Sequence, residues 1–528
     1  MEADLVLVDC NVLTMNPSQP RAEAVAIKNG KIVKVATKKE VNMWVGKNTQ
    51  VVKLQGSTVL PGLIDTHIHI ADFGRFLTWL DLKNTKSIKQ VQKLIKQNAE
   101  QKPQGKWILG QGWNQEKFAE KRKLTLQDLD EAAPNHPVIL YHESGCMCTV
   151  NSRALKLAEI TEETADPAGG KIEHNPETGE LAGVLLENAM SLVWKVIPEP
   201  DEQEVFDATS LACEKVVQAG VTSVQWIVSS LAEIQLILRL WKENRLPLRV
   251  YIIFPADLLQ EVSTLILPED IDENWLRIGG VKIFSDGSLA ERTAALTKPY
   301  SDQPDTKGKL RYTKEDFSAL VNRLHRANFR MVLHAMGDQA IEMVVTTLEK
   351  TLKESPKQDH RYRIEQAAVI NKELIQRIKK LEANVAVQPR TIISEFTAWS
   401  AIDRLGPERA RWLYPIKSLI KEGIPVSGGS DCPMEPINPF LGMQVVVTRQ
   451  FYPEEQITTD DALRMYTFNA AYASFEDHIK GSIQEGKLAD LTVVSRDPTT
   501  TEPNKLSEIE VKMTIVDGKI VYSSNWLF

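Results

Sequence analysis

The sequence predicts an α/β protein: a closed (β/α)8 barrel of the TIM type, with a small β-sandwich module built from both chain ends and a subdomain inserted after the first barrel strand. Three observations carry this expectation. Eight short apolar runs lie between residues 59 and 429. Segments with a helical period fall between several of them, as a (β/α)8 barrel requires. Hairpin signals mark both ends of the chain.

Near the N-terminus, "AVAIKNGKIVKV" turns at Asn29-Gly30, and near the C-terminus "MTIVDGKIVYS" turns at Asp517-Gly518, each between β-rich alternating flanks. Domain termini often lie close in space. Residues 1–60 and 478–528 are therefore expected to form one sheet module, interrupted by a barrel over 61–75 and 206–477.

The eight runs are "VLPGLI", "VTSVQWI" from Val221, "LRVYIIF" from Leu248, "GVKIF" from Gly280, "RMVLH" from Arg330, "RYRIE" from Arg361, "NVAVQ" from Asn384 and "IPVSGG" from Ile424. Such short, mostly apolar runs suit buried parallel strands. Helices are expected in "SLAEIQLILRLWKE", "KEDFSALVNRLHRA", "DQAIEMVVTTLEKTLKE" and "NKELIQRIKKLE". The stretch 76–205 is too long for one crossover helix and contains "GKWILGQGWNQEKF", "PVILYHESGCMCTVNSRAL" and "LAGVLLENAM". It reads as a subdomain at the barrel mouth, where insertions shape the substrate pocket.

At 528 residues the chain exceeds a typical single core. Its 63 basic and 70 acidic residues give a net charge of −7, without a long like-charge block that would favour nucleic acid or an anionic membrane. Five scattered cysteines, Cys10, Cys146, Cys148, Cys213 and Cys432, do not form a disulfide framework and suit a reducing cytoplasm. The start "MEADLVLVDCNVLTMN" lacks a basic region before an apolar core, and no run of about 18 apolar residues occurs, so a cytoplasmic, soluble protein is expected. A small-molecule substrate fits these bounds. A homodimer is the commonest oligomer among soluble proteins and is the expected partner state.

Candidate chemistry gathers at strand ends. In "THIH", His67 and His69 are two apart and face the same way on a strand, so both imidazoles can reach one ion; a hydrogen-bonded pair near a turn is the alternative. Lys282 in "GVKIFSDGS" places a charge in an apolar strand and needs a partner or a modification; an ion pair with Asp286 is the plain reading. His334 ends "RMVLH" just before a helix start. Asp431, beyond the Gly-Gly turn of "IPVSGGSDCPMEP", is placed to bind a metal and move a proton, or to cap a helix. These four positions fall after strands one, four, five and eight, on the face where barrel active sites assemble.

The motifs "VLPGLIDTHIH", "VKIFSDGSLAERTAAL", "HAMGDQA", "RIEQAAV" and "GSDCPMEP" resemble those of the amidohydrolase superfamily, in the family 3 branch that includes N-substituted formamide deformylases. The resemblance extends to "KGSIQEGKLADLTVVSRDP" and, within the insertion, to "GWNQEKF", "VNSRAL" and "GVLLENA". It implies a divalent metal, usually zinc, held by His67, His69 and Asp431. It also implies that Lys282 is carboxylated to bridge a second metal bound by His334. Trp113, His142, Glu187 and Arg292 lie in matching stretches and are candidate substrate contacts.

Two positions depart from the pattern. Where similar chains read R-I-E-H-A, Gln366 stands in place of the histidine, and an amide oxygen is a weak zinc ligand at best. One firm metal site and a doubtful second follow. Near Cys146 related chains often carry a histidine; His142 is a nearby substitute, while Cys146 and Cys148 read as packed thiols. Asp65 or Glu365 is expected to orient a metal-bound imidazole.

With a metal present, bound water is acidified from about 16 toward 7 and an amide carbonyl is polarised. Asp431 then serves as general base and acid in hydrolysis of a C–N bond, of the exocyclic amide or formamide type. A deaminase or cyclic-amide hydrolase is the alternative on the same site. A homologue that binds a metal or ligand without hydrolysis is another, because of Gln366.

Overall fold

The computed structural model describes residues 2–524. The chain divides into two compact units, Met1–Ala71 with Ser210–Phe528, and Asp72–Thr209.

The larger unit contains eight consecutive parallel strands: Leu63–Ile68, Val221–Ile227, Arg249–Pro255, Leu276–Phe284, Met331–Ala335, Arg363–Gln366, Asn384–Val387 and Val426–Gly428. Each pairs in parallel with the next along the chain. Just beyond the eighth strand, Cys432 bridges back to Ile68 in parallel, so the sheet curls into a nearly closed barrel. Val221–Ile227 is buried at all seven positions, the polar Thr222, Ser223 and Gln225 included, so its sequence does not alternate between an apolar and a solvated face.

The expected helices form at Leu231–Lys242, Lys314–Arg326, Asp338–Glu354 and Lys372–Lys380. Ser230, Thr313 and Asn371 cap three of them by accepting a backbone N–H three residues on. Their apolar stripes are buried, for example Phe317, Val321 and Leu324 on one and Leu374, Ile375 and Ile378 on another.

Two strand assignments need correction. The run "VLPGLI" is not one barrel strand: Thr58–Pro61 pairs in another sheet, and the barrel strand begins at Leu63. Gly62 makes the join, where a Cβ would lie 2.1 Å from Thr222 Oγ1. The fourth strand begins at Leu276, earlier than the apolar run, because Gly279 and Gly280 interrupt its pattern. Gly279 leaves room for the Tyr251 ring, whose Cζ would be 2.0 Å from a Cβ there.

The chain ends form two further sheets. One runs in the order Lys31–Ala36, Ala24–Lys28, Leu5–Val8, Gln50–Lys53. The other runs Lys519–Ser523, Val511–Val516, Leu491–Val494, Thr58–Pro61, Asn11–Leu13, Arg21–Ala22. Leu7, Val25 and Ile27 from the first share one core with Val59, Leu491 and Ile515 from the second. Both hairpins form, with positive φ at Asn29 and Gly30 and at Asp517 and Gly518.

The smaller unit has its own mixed sheet of six strands, ordered Gly170–His174, Leu181–Glu187, Met147–Val150, Val138–His142, Ile108–Trp113, Leu80–Asp81. Its core includes Ile88, Val91 and Ile95 from helix Ile88–Gln101, packed with Trp113 and Phe118. Among the described residues no helix is long and apolar enough to cross a membrane.

Candidate metal centre

The seam between the first and eighth strands is held by backbone bonds. Asp431 N–H donates to the His67 carbonyl at 2.7 Å and His69 N–H to the Cys432 carbonyl at 2.9 Å. Asp65, fully buried, adds a third tie: its Oδ1 accepts from the backbone N–H of both His67 and Ser430, each at 3.0 Å. Burial pushes its carboxyl up to about 6. Asp65 therefore positions the strand end and orients no imidazole. Gly429 permits this close approach, since a Cβ there would fall 2.6 Å from His67 N.

The result is convergence. His67, His69 and Asp431 each offer a ligand atom, all within 4.8 Å of one another. Asp431 Oδ1 lies 3.5 Å from Nε2 of each histidine. The two rings meet edge to face, with centroids 5.5 Å apart. Asp431 sits at φ 61°, a left-handed backbone that aspartate tolerates better than most side chains. Burial raises its carboxyl, but His67, His69 and Lys282 outweigh that and hold it below the ordinary range.

Behind His67 stands Glu365, on the sixth strand. His67 Nδ1 is 2.8 Å from Glu365 Oε1 and 2.9 Å from Gln388 Nε2, and Gln388 Nε2 is 3.0 Å from the same carboxylate oxygen. One ring nitrogen cannot donate to Glu365 and accept from Gln388 together. Burial opposes the Glu365 charge, yet Arg363, Lys282 and His67 hold this carboxyl well below its usual range. Both N–H groups therefore donate to an ionised Glu365, leaving the His67 Nε2 lone pair for an ion. Burial, then Lys282, lowers His67, so the ring is neutral.

Lys282 is buried, and its Nζ has no hydrogen-bond partner among the described residues. Glu365 Oε2 is 4.0 Å away, and the Phe284 ring centroid 5.2 Å. Burial pulls its ammonium down to about 8. It does not meet Asp286, whose oxygens instead accept the backbone N–H groups of Ala295, Met336 and Gly337, each at 2.9 Å.

His334 lies outside the converging trio. Its Nε2 is 3.3 Å from the Gly287 carbonyl and 3.6 Å from Asp286 Oδ1. Burial, then Lys282, lowers it to about 3. The Gln366 amide oxygen, expected as a weak ligand, accepts the Tyr414 hydroxyl at 2.9 Å. That bond engages one of the two lone pairs of the amide oxygen.

A profile described as the amidohydrolase family matches residues 50–522. This chain belongs to that family. Amidohydrolase YtcJ of Bacillus subtilis (strain 168), as that protein is named, is 31% identical over 97% of this chain and 98% of its own. The protein named N-substituted formamide deformylase from Arthrobacter pascens is 29% identical over 98% of each. A crystal structure of an uncharacterized metal-dependent hydrolase from Pyrococcus furiosus superposes with a TM-score of 0.75 at 26% identity, covering 94% of this chain and 100% of that one.

In this amidohydrolase the candidates Trp113, His142 and Glu187 belong to the smaller unit and Arg292 to the larger one. Trp113 is fully buried in the core of the smaller unit, with its Nε1–H donated to the Leu140 carbonyl at 3.0 Å. His142 packs edge-on to Trp113 and holds Ser144 Oγ at 2.8 Å from Nδ1. Glu187 ends the strand Leu181–Glu187 with φ 50°. Arg292 forms an ion pair with Asp302 at 2.5 Å.

Two contributors went unread in the sequence, Gln388 and Tyr414. Gln388 is the polar residue that ends the apolar run "NVAVQ", a signal that was available. Tyr414 lies in a loop remote from every motif, and only its contact reveals it.

Proposed function

We propose that this amidohydrolase hydrolyses C–N bonds of the exocyclic amide or formamide type at one firmly held divalent ion, with Asp431 as the proton-transferring residue. The observation that carries this is the meeting of His67 Nε2, His69 Nε2 and Asp431 Oδ1, with Glu365 fixing the first imidazole. The donors suit zinc: two imidazoles and a carboxylate. Asp431 Oδ1 stands 3.5 Å from each Nε2, and all three donor groups lie within 4.8 Å of one another, close enough to share one small divalent ion. The substrate class draws on the name of the Arthrobacter pascens relative.

A bound ion supplies a Lewis acid that polarises the amide carbonyl and acidifies water. The chain's own residues do the rest. Asp431, ionised at neutral pH, takes the proton of the attacking water and returns it to the leaving nitrogen, giving a carboxylic acid and an amine. Glu365 and Gln388 keep His67 in one tautomer and one orientation. Lys282, whose amine has a substantial neutral share near pH 8, is suited to carboxylation and would then offer a carboxylate on the same face. Gln366, an amide where an imidazole would be the better ligand, disfavours a second ion, and Tyr414 already occupies one lone pair of its oxygen.

The test joins metal content to turnover. Protein purified without chelator should hold about one divalent ion per chain. It should cleave at least one member of a panel of N-formyl, N-acyl and cyclic amides. Asp431→Asn should keep most of the ion and lose roughly 10³-fold in turnover. Undiminished activity in that variant would remove Asp431 from its role.

A further inference from the structure

The loops that follow the barrel strands carry several arginines, and most are satisfied. Arg409 donates to the carbonyls of Leu405 at 2.6 Å and Lys298 at 3.0 Å, and Arg449 to that of Tyr414 at 2.6 Å. Arg390 differs. Its guanidinium makes no hydrogen bond among the described residues, and its Nε is buried without a partner. Among the described residues the carboxylate within 4 Å of it is that of Glu435, with Oε2 3.6 Å from Nε, too long for a hydrogen bond. The other Glu435 oxygen is taken by the Ser394 hydroxyl.

The position of this group is informative. Arg390 follows the seventh strand by three residues, and Gln388, two residues before it, touches both His67 and Glu365. Two residues span at most about 7 Å of backbone. Glu435 follows Asp431 by four residues. Arg390 and Glu435 thus stand on the two segments that supply Gln388 and Asp431 to the metal centre. About one-third of the Arg390 side chain is exposed, against one-tenth of Glu435. A cation with open donors in this place presents a planar fork suited to a carboxylate.

We propose that Arg390 is a specificity residue that binds a carboxylate on the substrate, so that the amides this enzyme takes carry an acidic group close to the scissile C–N bond. Glu435 sets the selectivity by holding the guanidinium in place while competing weakly for it. The inference rests on the amide-hydrolase reading, yet binding can be measured apart from cleavage.

The probes are N-formylglycine, N-formyl-β-alanine and N-formyl-γ-aminobutyrate, each paired with its neutral carboxamide. Their binding to the metal-containing protein is followed by calorimetry. At least one acid should bind tenfold or more tightly than its carboxamide. Arg390→Gln should abolish that preference without weakening the neutral partner, and Arg390→Lys should keep part of it. Glu435→Gln should increase the preference several-fold, an independent check if an Arg390 variant folds poorly. A wild-type protein without acid preference, or a preference that survives Arg390→Gln, overturns the proposal. Acid preference lost in Arg390→Gln without cleavage of any probe upholds the carboxylate site and counts against amide hydrolysis instead.

Discussion

Glu365 has two carboxylate oxygens and four neighbours. His67 and Gln388 share Oε1 at 2.8 and 3.0 Å, while Arg363 at 2.9 Å and Lys282 at 4.0 Å face Oε2. The Arg363 approach is close but poorly aligned, since Oε2 has no hydrogen bond by geometry. One ionised group therefore offsets two buried cations and sets a histidine tautomer, a use of buried charge that favours specificity of arrangement. At the same scale, Gln366, an amide where an imidazole would be the better ligand, is what separates one ion from two in this reading, and the Tyr414 hydroxyl already occupies one lone pair of its oxygen. Gln366→His should raise the metal content from about one toward two ions per chain, measured by elemental analysis after growth with added zinc. A content that stays at one would place the limit elsewhere, with His334 or Lys282.

Among the elements, the junction of the first and eighth strands matters most. Its backbone bonds at 2.7 and 2.9 Å carry His67, His69 and Asp431 on opposite sides of one seam. The fourth, fifth and sixth strands pair in regular parallel ladders, whereas the seam closes through an isolated bridge stapled by Asp65. Gly429→Ala would press a methyl group against His67 N and Cβ, at 2.6 and 2.8 Å in the present geometry. Overpacking of this kind costs about 1–3 kcal/mol, and here it also moves a ligand. The variant should lose metal affinity measurably in competition with a chelator. Gly423→Ala, with nothing within 4 Å but φ 81°, should lose stability without losing the ion. Equal metal affinity in both variants would detach Gly429 from the site.

At the scale of the larger unit, the barrel and the sheets of the chain ends are tied by a buried ion pair. Arg249 on the third strand donates to Asp490 at 2.6 Å, with side chains 2% and 3% exposed, just before the strand Leu491–Val494. Asp490 also accepts the Asp517 backbone N–H at 3.0 Å, so one carboxylate joins the barrel to the C-terminal hairpin. Arg249→Ala leaves that carboxylate buried and unpaired and should cost about 3–5 kcal/mol in urea unfolding. A loss below 1 kcal/mol would show that the two parts are joined mainly by apolar packing.

The sequence by itself determined the barrel, its strand order, its main helices and both hairpins. These follow from local periodicity and turn chemistry, which are written within windows of a dozen residues. It also marked His67, His69, Lys282, His334 and Asp431 as strand-end candidates, because strand ends of a barrel converge by topology, while the family resemblance picked out His67, His69 and Asp431 as one ligand set. The tertiary structure alone decided what each side chain touches. It gave Asp65 to the backbone and Glu365 to His67, although both were equal candidates in the sequence. It split "VLPGLI" between two sheets, closed Trp113 into a core and placed Tyr414 on Gln366. Such choices depend on contacts between residues tens to hundreds of positions apart. No local pattern records them, because the partner of a buried polar atom is selected by packing and by the cost of leaving it unpaired.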